Sequence, residues 1–576
     1  MIIQGLQALW RFQNTNFQHI SELATNLNIS IPIAQILYQR NFKTKEEALD
    51  FLFPDLDESR YNSNLLLNFE KAIHRIEKAI ESKEKILIAG DYDVDGISST
   101  ALLLYALKDF KADVNFFLPH RVNDGYGLSE KTILKAKRAQ YSLIITVDNG
   151  TSAFDALKEA KNQEIDVIVT DHHQPKDIPE GAFCIVNPYL PTCQYPFKHL
   201  AGVGVIFKIV TELYKRKEKT IPQKIYEFFL FGTVADVMPL LEENRYWVAY
   251  ALSKINQSTS HAIQLLKTNA KLLPEKKLTA EDIAFSLAPQ LNALGRLSDA
   301  RNGVLFFIHD NHEIQEEIAS ELLACNTERR KKEKEILKKL LSEIEKEKRH
   351  PHEDGCIVTA SKEFLPGIIG LLAAKLTQVF QVPTCIFSET EEGLLKGSCR
   401  SIPSCNIFMA LQNIQDSNKD LLLSFGGHHA AAGVAIKKKN LSIFKEKFSK
   451  EIFKQCSIED FRLLIDVDAE IHIDEINQKL WRDLHLLEPF GAQNKTPIFY
   501  IKEATVLEAK IIKDIHIKLR IISGEKKISV VFFDRLDIIK EITTNKKIAL
   551  IAKIKENTWQ NKQTLELFGI DLKITS

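Results

Sequence analysis

Asp91-Tyr92-Asp93-Val94-Asp95-Gly96 places three carboxylates at alternate positions one residue beyond the apolar run Ile86-Leu87-Ile88-Ala89. Residues two apart in an extended segment point to the same side, so the three acids are expected to converge just beyond a strand end, with Gly96 permitting a tight turn. Carboxylates this crowded repel one another unless a cation stands between them. Hard divalent ions such as Mg²⁺ and Mn²⁺ favour oxygen ligands and fit such a site. A solvated acidic turn is the alternative for this segment alone.

The pattern recurs. Leu143 to Gly150 is an apolar, β-branched run that ends in Asp148, and Ile165 to His173 ends in Asp171, His172 and His173. Histidine suits Mn²⁺ or Zn²⁺ better than Ca²⁺, and a neighbouring carboxylate can fix its tautomer. Phe231 to Pro239 adds Asp236, beside a proline that ends the local regular structure. Four acid-bearing tips in succession favour a metal site over four unrelated polar turns.

The elements that must position these acids are legible in outline. Residues 1–85 carry helical periodicity, as in Phe69 to Ile76, and read as a helical lead-in. From Ile86 onward apolar strands alternate with helix-like stretches such as Ser98 to Leu107 and Ser129 to Arg138, the pattern of βαβ units on a mainly parallel sheet. Residues 311–349 contain no glycine or proline, and their apolar residues Ile336, Leu337, Leu340, Leu341 and Ile344 recur at helical spacing. They read as one long helix or a helix pair, acting either as a strut between domains or as an ordinary solvated element. Beyond them, short β-rich runs at Gly355 to Thr359 and Thr384 to Phe387 flank a helical stretch from Ile368 to Phe380, which suggests a second, smaller α/β domain. From Phe461 onward, short strands separated by polar turns suggest a small barrel, with Lys518 and Arg520 on one strand face and Phe532, Phe533 or Trp559 available for stacking.

The segments around Asp91, Asp148, Asp171 and Asp236 resemble the four successive motifs of the DHH phosphoesterase superfamily, most closely its RecJ family of bacterial single-strand-specific 5′ to 3′ exonucleases. The likeness continues through Pro119 to Gly127, Leu291 to Arg296, Gly397 to Ser401, Phe425 to His428, and Glu488-Pro489-Phe490-Gly491 with Asn494 and Pro497. At Leu294 the family usually carries a second small residue, a difference that bears on local packing. The resemblance implies an α/β chain divided into the helical lead-in (1–85), a DHH catalytic domain (86–310), a connecting helix (311–350), a DHHA1 domain (351–460) facing the metal site across a cleft, and an OB-fold domain that binds nucleic acid (461–576).

Asp93, Asp95, Asp148, His172 and Asp236 are the expected ligands of two Mn²⁺ or Mg²⁺ ions, with Asp91, Asp171 and His173 in supporting or catalytic roles. Two ions about 4 Å apart can generate a hydroxide and stabilise both the attacking and the leaving oxygen. Arg121, Arg296, Ser398 and Arg400 match positions that hold substrate phosphates in the family. Lys396 to Ser401 joins a flexible backbone to hydroxyls and a guanidinium, and Gly427 and His428 add close backbone approach and an imidazole donor. The implied activity is release of nucleoside 5′-monophosphates from single-stranded DNA, in repair and recombination. A DHH phosphodiesterase for short oligonucleotides or cyclic dinucleotides would share the metal motifs, and so would a manganese pyrophosphatase, but neither explains the barrel. A binding protein that had lost its metals would not need the complete ligand set.

Composition agrees with this reading. A chain of 576 residues with 45% hydrophobic content exceeds one ordinary core. The eight cysteines form no C-x-x-C pair, which argues against a zinc knuckle or a secreted disulfide framework and for reduced thiols in the cytoplasm. No signal peptide is expected, and no run approaches the about eighteen apolar residues of a membrane span. A formal net charge of zero leaves no basic footprint overall, so a cationic groove would have to be offset by acids gathered at the metal site. The expected partners are single-stranded DNA, a single-strand-binding protein and a RecQ-type helicase, with the chain itself a monomer.

Overall fold

The computed structural model describes the chain apart from residues 58, 121–124, 126, 259, 347–350, 543, 560–561 and 576 and the side chains at 558, 559 and 562. Two compact units are present, one of Leu56–Phe461 and one of Met1–Asp55 with Arg462–Ser576.

In the larger unit, β1 (Lys85–Ala89), β2 (Asp113–Phe117), β3 (Leu143–Val147), β4 (Asp166–Thr170) and β5 (Cys184–Val186) form an all-parallel sheet in the order β2-β1-β3-β4-β5. Central strand β3 is buried along its whole length, which is why it reads as a continuous apolar run. Crossovers are made by α1 (Val94–Asp109), α2 (Glu130–Arg138) and α3 (Phe154–Asn162). The chain leaves β1 toward β2 and then returns to the other side of β1 to lay down β3. Strand order therefore reverses between β1 and β3, and ligands of open parallel sheets bind in the crevice at the carboxyl ends of such strands. Further helices α4 (Gly202–Arg216), α5 (Gln223–Ala235), α6 (Glu242–Gln257) and α7 (Ala288–Leu297) complete this part.

Helix α8 (His312–Lys346) is a single helix of 35 residues. Ile318, Ala319 and Leu322 pack into the core around the parallel sheet, while Leu340 and Ile344 belong to a second core. One helix thus contributes side chains to two cores. That second core lies under β6 (Ile357–Ser361), β7 (Thr384–Glu389), β8 (Leu394–Arg400), β9 (Leu422–Gly427) and β10 (Ala431–Lys437), in the order β9-β10-β8-β7-β6. Only β6 and β7 run parallel, joined across helix α9 (Ile369–Phe380).

In the smaller unit, the strands Phe499–Ile512, His516–Ser523, Lys526–Phe532, Lys562–Ile574 and Lys547–Trp559 pair in that order, and the last pairs back onto the first to close a barrel. The opening residues depart from the helical expectation. Ile2–Gln4 and Leu9–Phe12 are strands, the second pairing in parallel with Leu464–Val467. Trp10 is fully buried there, and its indole N–H donates to Asp571 Oδ2 at 3.1 Å. Asn494 fixes the loop after Glu488, donating to the carbonyls of Leu487 at 2.8 Å and Pro489 at 2.7 Å. Phe532 is not available for stacking: it shares the inward face of its strand with Ile528 and Val530 and is fully buried. Phe533 is half-exposed, Lys518 pairs with Glu566 at 2.9 Å, and Arg520 lines a surface groove with Lys510 and Lys527. The Trp559 side chain lies outside the described residues.

Candidate metal centre

The acidic loop after β1 meets the start of α1, and this corrects the extended-segment argument. Asp91 follows Gly90 at the strand end. Asp93 is the N-cap of α1, its Oδ1 accepting the Gly96 N–H at 3.0 Å, and Asp95 lies in the first helical turn. The acids converge because a strand gives way to a helix start, not because they alternate along a strand. Gly96 is a helical residue rather than a turn glycine, and its missing Cβ leaves room for the Asp91 backbone, which a Cβ would approach to 2.5 Å. Asn292 of α7 accepts the Val94 N–H at 3.2 Å, tying a second motif segment to this loop.

Asp95 is held from the far side by the N-terminus of α4. The Gly202 and Val203 N–H groups donate to its Oδ2 and Oδ1 at 2.7 and 2.9 Å. A helix N-terminus favours a carboxylate at this place. Gly202 is required by crowding, since a Cβ there would stand 2.6 Å from Asp148 Cβ. The Gly202-Val203-Gly204 segment was not read as part of the site, although two glycines opening an apolar helix are its visible signal.

Asp148 follows β3 with φ +61°, a left-handed backbone that aspartate tolerates better than most residues. The adjacent Asn149 donates to the Ala89 and Val147 carbonyls at 3.0 and 2.9 Å, locking together the ends of the two strands that flank the reversal. His172 follows β4 and presents Nε2 to three carboxylates: Asp148 Oδ1 at 3.1 Å, Asp236 Oδ2 at 3.5 Å and Asp95 Oδ2 at 3.7 Å. Asp236 comes from the C-cap of α5 rather than from a strand tip. Its Oδ2 is buried and accepts no hydrogen bond from the described residues.

Among the described residues, three groupings bring one ligand atom per residue within 4.8 Å of one another: Asp95, His172 and Asp236; Asp91, Asp93 and Asp148; and Asp148, His172 and His173. Through the shared Asp148 and His172 these groupings join into one cluster, and Asp171 is bonded to its edge through His173. Burial and the charge of Asp93 push the Asp95 carboxyl up to about 7. Asp148 is raised well above the carboxylate range by burial and then by Asp95, Asp93, Asp236 and Asp91, and Asp236 by burial, Asp95 and Asp93. Burial and the charge of His173 lower His172 to about 4, so it stands neutral and able to ligate. A buried oxygen without a donor, carboxyls that resist ionising together and a neutral imidazole among them fit a divalent cation.

Asp171 behaves differently. Burial alone would raise its carboxyl, but the hydrogen bond and charge of His173 outweigh it and hold it at about 2. Burial likewise opposes charge on His173, yet the bond to Asp171 raises that imidazole to about 9.

The expected phosphate groups are distributed around β8. Arg400 Nη1 donates to Ser398 Oγ at 2.9 Å and to the Cys399 carbonyl at 2.8 Å, and a Cβ on Gly370 would come within 2.9 Å of the same guanidinium. Arg296 of α7 donates to the Gly367 carbonyl at 2.7 Å, so it joins α7 to the segment just before α9. Leu294, where a small residue was expected, is fully buried, while the neighbouring Gly295 packs against the Tyr92 carbonyl. Gly427 has φ +143°, and His428 is exposed, with its backbone N–H bonded to Ala431 at 2.8 Å. Arg121 lies outside the described residues.

Comparison with known proteins places these features in one family. A model of the DHH family, N-terminal domain, matches residues 85–233, a DHHA1 domain model matches 353–455, and a RecJ OB domain model matches 467–571. The single-stranded-DNA-specific exonuclease RecJ of Bacillus subtilis is 31% identical over 98% of this chain and 71% of its own length. That of Escherichia coli is 31% identical over 79% of this chain and 81% of its own. Among solved structures, RecJ of Thermus thermophilus in complex with Mn²⁺ superimposes with a TM-score of 0.82 at 26% identity, covering 98% of this chain and 79% of that one. The same protein with Mg²⁺ gives 0.76 at 25% identity, covering 98% and 78%. The acidic and histidine cluster, together with metal-bound relatives of the same fold, marks a divalent-metal site. With three domain models in this order and a likeness that runs along nearly its whole length, the chain belongs to the RecJ family of the DHH phosphoesterases.

Proposed function

We propose that this chain is a metal-dependent exonuclease that degrades single-stranded DNA from the 5′ end to nucleoside 5′-monophosphates, serving DNA repair and recombination. The observation that carries the reading is the convergence of Asp95, Asp148, His172 and Asp236 at the strand-order reversal of the sheet, in a chain of this family.

Asp93, Asp95, Asp148, His172 and Asp236 would hold two ions, a reading supported by overlapping groupings that together offer more ligand atoms than one ion needs. When bound, the ions supply activation of the attacking water and neutralisation of charge on the phosphate. The chain's own groups do the rest. Asp171 accepts the hydrogen bond of His173 Nδ1–H and so fixes the tautomer and orientation of that ring beside the phosphate. Gly202 and Val203 fix Asp95 so that it keeps its direction when the charge around it changes. Ser398 and Arg400 provide hydroxyl and guanidinium donors for a terminal phosphate, with Arg121, Arg296, Gly427 and His428 as further contacts, and a clamp on a 5′-phosphate would make cutting exonucleolytic. The groove around Lys510, Arg520 and Lys527 offers charge to a longer strand.

The eight cysteines are free thiols and, among the described residues, no helix is long and apolar enough to cross a membrane. A cytoplasmic monomer working with a single-strand-binding protein and a RecQ-type helicase is the further part of this proposal, and it rests on the family resemblance alone. Incubation with single-stranded DNA and Mn²⁺, followed by chromatography, tests the reaction: nucleoside 5′-monophosphates are expected, whereas 3′-monophosphates or long fragments would refute it.

A further inference from the structure

Helix α5 closes beside the metal centre in a turn that carries the wrong kind of residue for its backbone. Asp236 is the C-cap. The Val237 N–H donates to the Val234 carbonyl at 3.2 Å and the Met238 N–H to the Thr233 carbonyl at 3.3 Å, the bonding of a Schellman turn. Its left-handed position is filled by Val237, at φ +58°. Glycine or asparagine usually stands there because Cβ crowds the backbone, and a β-branched side chain is the least suited of all. Packing does not repay the strain. Val237 is 68% exposed, whereas Val234, one turn earlier on the same helix, is 7% exposed. Strained residues of this kind gather at active sites and ligand clamps. Val237 is bonded directly to Asp236, whose Oδ2 stands 3.5 Å from His172 Nε2, so it sits at the rim of the metal centre.

We infer that Val237 is a substrate-contact residue, its isopropyl group forming an apolar wall for the nucleoside whose phosphate enters the metal centre. This rests on the exonuclease reading. An apolar group without donors or acceptors packs on any nucleoside, which suits an enzyme that must accept each nucleotide in turn. It complements Ser398 and Arg400, which the exonuclease reading assigns to the phosphate.

The test compares the full-length protein with Val237→Gly, Val237→Asn and Val237→Ile, measuring kcat and KM on a single-stranded oligodeoxynucleotide with Mn²⁺ alongside thermal unfolding. Glycine and asparagine should melt at the same or a higher temperature. Their KM should rise by about three- to tenfold, the loss expected when part of a buried valine side chain is removed, with kcat nearly unchanged. Isoleucine should keep the original KM. Unchanged KM in the glycine and asparagine variants would overturn the inference and leave the exonuclease reading standing. A fall in kcat at constant KM would also overturn it, by assigning Val237 to the positioning of Asp236. No hydrolysis by the unmodified protein would remove both readings together.

Discussion

Asp171 Oδ1 lies 2.7 Å from His173 Nδ1 and also accepts the backbone N–H groups of His172 at 2.7 Å and His173 at 3.1 Å. Its other oxygen accepts the Thr151 N–H at 2.9 Å. Both oxygens are thus taken by donors of the chain itself, and Asp171 holds the paired histidines rather than a cation. Asp171→Asn should therefore keep the fold but loosen the imidazole. Loss of such supporting carboxylates costs roughly 10–100-fold in metal affinity or activity. A Mn²⁺ titration of hydrolysis checks this, and an unchanged midpoint and rate would show that His173 needs no such support.

Asp148 separates the needs of folding from those of chemistry. Burial and four neighbouring carboxylates raise it well above its ordinary range, so in the metal-free protein its charge destabilises the fold. Asp148→Asn should abolish hydrolysis while raising the melting temperature of the metal-free chain. Asp95→Ala should abolish hydrolysis too, but it also strips the Gly202 and Val203 N–H groups of their acceptor and should cost about 1 to 2 kcal/mol of stability, as lost caps do. Equal stability changes in the two variants, read from denaturant unfolding, would contradict this distinction.

The metal-free protein should lose stability as pH rises from about 6.5 to 9. His173 is raised to about 9, so above pH 6.5 the unfolded chain gives up a proton that the folded one keeps, and stability falls until the folded group also titrates. Asp148 and Asp236 are also raised, which gives their contributions the same sign, and Asp95, pushed up to about 7, adds to the loss at the lower end. His172, lowered to about 4, changes nothing above pH 6.5. Melting curves across this range, with and without Mn²⁺, should converge at the acid end and diverge at the alkaline end. A constant gap would mean that these groups are not what the ion engages.

How much of this was legible in the sequence depends on how local each feature is. The tips at Asp91, Asp148 and Asp171-His172-His173 were readable because each closes an apolar strand run, and α8 because 35 residues pass without a helix breaker, whereas the apolar run before Asp236 belongs to a helix. The geometry of Asp93 and Asp95 was not, because alternate spacing looks the same in a strand and in a cap followed by a first helical turn. Nor was the support of Asp95 by Gly202, since that contact joins positions 107 residues apart. The opening strands were hidden for the same reason: Trp10 finds its hydrogen-bond partner at Asp571, 561 residues away.

That pairing changes how the barrel should be removed. Ala8, Trp10, Val467, Tyr500, Ala549 and Ile551 share one core, so deleting residues 462–576 alone would strip Trp10 of its surroundings. A fragment of residues 56–461 should instead remain folded, hydrolyse short strands and bind long ones more weakly than the whole chain. Equal affinity for long strands in a filter-binding or anisotropy titration would show that the barrel does not hold the substrate.

Arg400 reports on recognition of the strand end. If its guanidinium reaches a terminal phosphate, Arg400→Ala should weaken binding of 5′-phosphorylated strands by about 1.5 to 3 kcal/mol, the range for hydrogen bonds to charged groups. Strands ending in a 5′-hydroxyl should lose less, and an equal loss for both would place Arg400 elsewhere on the path.

The most direct measurement follows single strands labelled at one end or the other, with a duplex of the same sequence as control, in the presence of Mn²⁺. The 5′ label should appear at once in mononucleotide, the 3′ label should pass through a ladder of shortening strands, and the duplex should persist. Immediate release of the 3′ label, or internal fragments from either strand, would contradict a 5′ to 3′ single-strand exonuclease.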